Sequence, residues 1–199
     1  MRYIILTLTL LFSFNSFGQT AKEYFNKALE KEGAGDFYGA IYYYTKCIEI
    51  NPSSVRALSN RGLIKDHLGD FSDAIADYDK AIQINPDEPI LYYNKGRAKN
   101  SLKNYSEAIE NYNKAINLDG YYVDAYFNRA ISKISLGYFY SAIIDNNFVI
   151  KLNPEYAAAY INRGVAKLNT ADKVGACKDA KQAQKLGYDA SQLIKLACE

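Results

Sequence analysis

Between Asp87 and Gly120, apolar and small residues return at three- and four-residue steps. Leu91, Tyr92, Gly96 and Ala98 form one such run, Asn104 interrupts it, and Ala108, Ile109, Tyr112, Ala115 and Ile116 form a second. Each run paints one face of a helix, so the segment predicts two helices joined by a short turn. The same register returns along the chain every 34 residues: Asn26, Asn60, Asn94, Asn128 and Asn162 keep that spacing without slippage. Small residues keep it at Ala28, Gly62, Gly96, Ala130 and Gly164, and again at Ala40, Ala74, Ala108, Ala142 and Ala176. Rings keep it at Phe37, Phe71, Tyr105 and Phe139 and at Tyr44, Tyr78 and Tyr112. Gly35-Asp36, Gly69-Asp70 and Gly137 punctuate the middle of a unit, and Asn-Pro closes three units at Pro52, Pro86 and Pro154. A unit that repeats in phase five times is one helical hairpin used five times, and the small ladders let its two helices approach closely.

Tyr92-x-x-Lys95-Gly96 followed by Ala108-x-x-x-Tyr112, and Tyr160-x-x-Arg163-Gly164 followed by Ala176, resemble the tetratricopeptide repeat pattern of large aromatic, small residue, alanine, aromatic and proline. The resemblance runs from residue 21 to about residue 190. It implies an all-α chain, an α-solenoid of five tandem hairpins in a right-handed superhelix, with repeats at about 21–54, 55–88, 89–122, 123–156 and 157–188. Residues 189–199 then form a C-terminal capping helix. One hairpin cannot bury its apolar face alone, so stacking supplies the core, with Cys47, Ala81, Ala115, Val149 and Ala183 as one small-residue seam.

Composition changes this picture little: 49% hydrophobic and 23% charged residues with a net charge of +2 suit a globular chain and leave no broad nucleic-acid footprint. The N-terminus does change it. Arg2 precedes an apolar run from Tyr3 to Phe14, and Ser16-Phe17-Gly18 supplies small residues where a signal peptidase cuts. Residues 1–18 are therefore expected to be a secretory signal, the mature chain to begin at Gln19, and the protein to be exported, periplasmic or secreted, of a bacterial type. No stable membrane insertion is expected after cleavage; an uncleaved anchor is the rival. Export makes cysteine pairing relevant. Cys177 and Cys198 are the one pair that a stack brings within reach, Cys47 lying in the first hairpin; a bridge between them and two buried free thiols both stay open.

The asparagine ladder is the candidate for function. Each Asn stands two residues before the small contact residue, which turns it away from its own hairpin and toward the concave face lined by the first helices. The resemblance implies that such asparagines hold the backbone of an extended peptide, and the amide, donor and acceptor at once, suits that task. Phe25, Tyr93 and Phe127, one place before an Asn, would stack on ligand side chains or pack on the next hairpin. A solvated helix face, or a bond across to the neighbouring hairpin, is the plainer role for the asparagines. The neighbouring basic ladder carries its own signal: where it is Arg (Arg61, Arg129, Arg163), the second helix carries Asp (Asp77, Asp145, Asp179), which suggests structural ion pairs; where it is Lys27 or Lys95, it does not. A third ladder, Lys31, Lys65, Lys99, Lys133 and Lys167, either lays its stems over the seam between hairpins or forms a stripe for an acidic partner. The chaperone-tail clamp of some repeat domains is disfavoured, because Phe25 and Leu29 stand where it needs polar groups.

With one histidine, His67, and no nucleophile-base set, phosphate loop or ligand cluster, the chain is expected to be no enzyme and to need neither metal nor cofactor. The expectation is a protein-protein interaction adaptor and scaffold whose partner presents an extended segment in the groove, with no nucleic acid involved. An assembly factor of an envelope complex that works through its outer faces, and an envelope glycan-binding module, are the alternatives.

Overall fold

A computed structural model describes residues 20–199, and α-helix is the regular structure found among them. The expected signal segment, residues 1–18, lies outside the described residues. Helix α1 covers residues 20–33. It is followed by α2 (Phe37–Ile50), α3 (Val55–Leu68), α4 (Phe71–Ile84), α5 (Pro89–Ser101) and α6 (Tyr105–Leu118). Then come α7 (Val123–Ser135), α8 (Phe139–Leu152), α9 (Ala157–Asn169), α10 (Lys173–Lys185) and the short α11 (Ser191–Cys198). The odd-numbered helices from α1 to α9 are the first helices of hairpins and the even-numbered ones the second.

Turn chemistry repeats with the same period as the core. The first helix of every hairpin ends at a left-handed residue: Gly35, Gly69 and Gly137 at φ 75°, 90° and 78°, but Lys103 and Ala171 at 61° and 64°. Glycine adopts that conformation without steric cost; lysine and alanine do not. Between hairpins, the side chains of Asn51, Asn85, Asp119 and Asn153 each accept the backbone N–H two residues ahead, at 3.3, 3.4, 2.9 and 3.1 Å. This Asx turn explains why Asn-Pro, or Asp119-Gly120, sits at each crossing. Asp36, Ser54 and Asp172 cap the helices that follow them by accepting from Gly39, Ala57 and Gly175.

The chain divides within α5 into two compact units, one reaching to Asn94 and the other starting at Lys95. In the first, Ala28, Ala40, Tyr44 and Ala57 are fully buried, Phe25 and Phe37 pack on their cluster, and Leu58, Ala81 and Leu91 form a second cluster. Gly62 is required here: a Cβ on it would stand 2.8 Å from a Tyr78 ring carbon. In the second unit Gly96 meets the Tyr112 ring in the same way, at 2.7 Å. Farther along this unit the ladder residue shrinks, from Tyr112 to Asn146 and then Ala180. At the last hairpin Leu193 of α11 takes the vacated space, its Cδ2 2.7 Å from where a Gly164 Cβ would stand. Leu193 and Ala197 bury against the cluster of Tyr160, Ala176, Ala180 and Ala183, so α11 caps the hairpin with the apolar group that hairpin lacks.

Candidate functional site

Asn26, Asn60, Asn94, Asn128 and Asn162 share one register, yet only Asn26, on α1, is exposed. Asn60 donates its amide to the Tyr44 hydroxyl of the preceding hairpin at 2.9 Å, while that hydroxyl donates to Glu32 at 2.7 Å. Asn94 is 1% exposed and its Nδ2 has no partner. Asn128 donates to the Asp124 carbonyl of its own helix. Asn162 is half-buried with Nδ2 enclosed and unbonded, as is Oδ1 of the buried Asn146, which stands one ladder from it as Tyr44 does from Asn60. The expectation of five amides open to a concave face thus needs correcting at Asn60, Asn94 and Asn162. The physical reason is register: residues three before and four after these asparagines are Ala57 and Ile64, Leu91 and Ala98, Ala159 and Ala166, all buried. Being turned away from the partner helix of their own hairpins points Asn60, Asn94 and Asn162 at neighbouring side chains, whereas Asn26, flanked by the exposed Glu23 and Glu30, faces solvent.

Of the ring residues, Phe25 stands 5.5 Å from the Tyr44 ring, edge on, and carries the Arg56 guanidinium at 5.0 Å. Phe127 lies 4.9 Å from Tyr156, the residue that precedes α9. Tyr93 is half-buried on α5. Burial, then the charge of Asp124, raises the Tyr156 hydroxyl above the ordinary phenol range.

The charged ladders are built more tightly than the sequence suggests. Arg61 grips Asp77 with Nε at 2.9 Å and Nη2 at 2.6 Å, and Arg129 with Asp145 and Arg163 with Asp179 repeat the two-pronged geometry at the same distances. Each aspartate side chain is 2% exposed. The third arm of each guanidinium, Nη1, crosses to the preceding hairpin: Arg61 to Thr45 at 2.8 Å, Arg129 to Asn113 and Arg163 to Asn147 at 2.7 Å. The Arg129 and Arg163 planes also rest over Tyr126 and Tyr160, at 5.0 and 5.3 Å. Planar, five-donor arginine is the side chain that can fill all these directions at once.

Sequence reasoning missed the partners of the lysine ladder. Lys65, Lys133 and Lys167 donate to the same three aspartates, at 2.9, 2.8 and 2.8 Å, while Lys31 pairs with Asp36 at 3.0 Å and Lys99 with Glu107 at 2.7 Å. Every Asp of the set lies 12 residues after its Lys and 16 after its Arg, a double offset visible in the chain once the hairpin is assumed. Lys31 and Lys65 are thus engaged within their own hairpins, as are Lys99, Lys133 and Lys167. Lys27, matched to Tyr43 instead of Asp, sits 5.8 Å from that ring and 6.0 Å from Tyr24.

Cys177 and Cys198 are bonded, with Cα atoms 5.0 Å apart, tying α11 to α10. Cys47 is a buried free thiol that burial pushes above its ordinary range. His67 packs edge on against Phe37 at 4.9 Å. Among the described residues no group of three or more His, Cys, Asp or Glu could hold a metal ion, and no helix is long and apolar enough to cross a membrane.

Tandem helical hairpins with buried small-residue ladders define an α-hairpin repeat protein. Tetratricopeptide repeat models match residues 21–54, 55–88 and 77–110, and a TPR repeat model matches 96–137; the chain belongs to the tetratricopeptide repeat family. Among solved structures it is similar to the MamA protein, at 28% identity, over 85% of this chain and 92% of that one, with a TM-score of 0.81. YrrB, a TPR protein with an unusual peptide-binding site, follows at 20% identity, 92% and 97% coverage and a TM-score of 0.78. MamA from Desulfovibrio magneticus RS-1 is 19% identical over 84% and 95%, with a TM-score of 0.81. No curated protein sequence matches the chain. Family and fold together support a protein-interaction adaptor.

Proposed function

We propose that this chain is a non-catalytic adaptor, exported after loss of residues 1–18, that holds an extended segment of another protein against its first helices. One observation carries the reading. On α9, Ile161 and Val165 stand half-buried one turn apart, and with Leu168, Leu193 and Leu196 they form the apolar part of a trough of ≈ 260 Å³ whose rim carries Asn169, Asp189 and Gln192. Phe127 and Ile131 on α7 hold the same two register positions, and so do Phe25 and Leu29 on α1. Side chains four apart on a helix share a face, so each of these helices offers one apolar step to a ligand. The exposed Asn26 is the rung best placed to bond a ligand backbone; Asn128 stands beside Phe127. YrrB has a peptide-binding site on the same fold, which makes the mode of binding consistent with the architecture.

In-cell crosslinking and pull-down would compare wild type with Ile161→Ser/Val165→Ser, after circular dichroism shows equal helicity. Partners lost only from the variant support the reading. Partners kept by it place function on the outer faces and sink it. Export is checked by fractionation and N-terminal sequencing: a mature chain starting at Gln19 outside the cytoplasm is expected, and an intact Met1 inside the cell discards that part.

A further inference from the structure

The last hairpin departs from a pattern that three others share. At the place where Thr45, Asn113 and Asn147 accept the next hairpin's arginine, it carries a donor, Lys181. Lys178 and Lys185 flank it, three before and four after, so the three ammonium groups share one exposed stripe of α10. None of them has an acidic partner among the described residues, unlike the five ladder lysines, each of which has one. The stripe borders a cavity of ≈ 630 Å³ whose wall includes Tyr160 and Arg163 and whose edge includes Val174, 84% exposed. The carboxylate in that wall, Asp179, is already neutralised by Arg163 and Lys167. Residues 95–199 as a whole carry 15 Lys and Arg against 10 Asp and Glu.

We infer that this cavity, between α9 and the exposed lysine stripe of α10, is a second binding site for an acidic extended polypeptide segment. Along α10, Lys178 to Lys185 spans about 10 Å at about 1.5 Å per residue. Five residues of extended chain, at about 3.3 Å each, carry three alternate carboxylates about 6.6 Å apart, a spacing that flexible lysine side chains can follow along the stripe. A walled cavity with a tyrosine and a valine at its border suits a polypeptide with an apolar side chain beside its acids. The site takes Tyr160 and Arg163 from α9, whereas the trough takes Ile161, Val165 and Leu168 from that helix, so the two sites share no lining residue and can be tested apart.

The test is fluorescence anisotropy with the full chain and a labelled eight-residue peptide of alternating Glu and Ala with one central Leu. Binding that weakens as salt rises is expected. Lys178→Gln/Lys181→Gln/Lys185→Gln should weaken it at least tenfold with melting temperature unchanged, whereas Lys114→Gln/Lys151→Gln/Lys195→Gln, an equal charge loss elsewhere in the same half, should change it less than twofold. Ile161→Ser/Val165→Ser should leave it intact, which separates this site from the trough on α9. Equal loss in both lysine triples, or no binding at low salt, overturns the proposal. So does lysine-dependent capture of anionic phospholipid vesicles in place of the peptide.

Discussion

Replacing Asp145 by Ala removes the carboxylate on which Arg129 and Lys133 converge. Asp145 is 2% exposed and its two cations 15% and 13%. The substitution strips Arg129 of two short hydrogen bonds and Lys133 of one, and leaves both charges largely out of water. Breaking a buried pair by deleting one partner costs about 3–5 kcal/mol, and the gain in helix propensity from Asp to Ala, about 0.5 kcal/mol, does not offset it. With a urea slope near 2 kcal/mol/M the net loss of about 2.5–4.5 kcal/mol should lower the unfolding midpoint by about 1.3–2.3 M. In a repeat array the loss falls on the hairpin and its neighbours, so amide exchange should accelerate first in α7, α8 and α9. Asp145→Leu/Arg129→Met/Lys133→Met should recover most of the loss, because a whole ionic set replaced by apolar groups leaves no charge stranded. A cost below about 1 kcal/mol for Asp145→Ala would mean that solvent screens the set like a surface pair, and the reasoning would fail.

Ala171→Gly should stabilise the chain by about 0.5–1 kcal/mol, read by urea melts, since it relieves a left-handed alanine at φ 64°; no gain would mean the turn relaxes instead. Cys198→Ser opens a loop of sequence separation 21 and should cost about 3 kcal/mol, with exchange protection lost in α11 before α9. Cys47 should resist thiol reagents in the native chain at pH 8 and react on unfolding. Because burial raises its native pKa, the unfolded thiol loses its proton first. Stability should therefore decline as pH rises past about 8.5, and Cys47→Ala should remove that part of the slope, which pH-dependent urea melts would measure.

The hairpins were legible in the chain because helix period, turn residues and core ladders all repeat with one spacing, and each is a local property. Gly62 and Gly96 announced a close approach, and Arg61, Arg129 and Arg163 announced their aspartates through covariation among the repeats themselves. The direction of Asn94 was not legible. Its distance from Gly96 says only which way it does not face, and the stripe it shares with Leu91 and Ala98 turns inward when the neighbouring helices pack around it. Nor could spacing alone show that Lys65, Lys133 and Lys167 reach the carboxylates already claimed by arginine, or that Leu193 fills the place of a missing ring at Ala180. Repetition along the chain determined which helices form. Side chains 12, 16 or 29 residues apart acquire partners only after those helices pack, so tertiary structure decided which polar groups are spent inside the protein and which, like Lys178, Lys181 and Lys185, are left for something else.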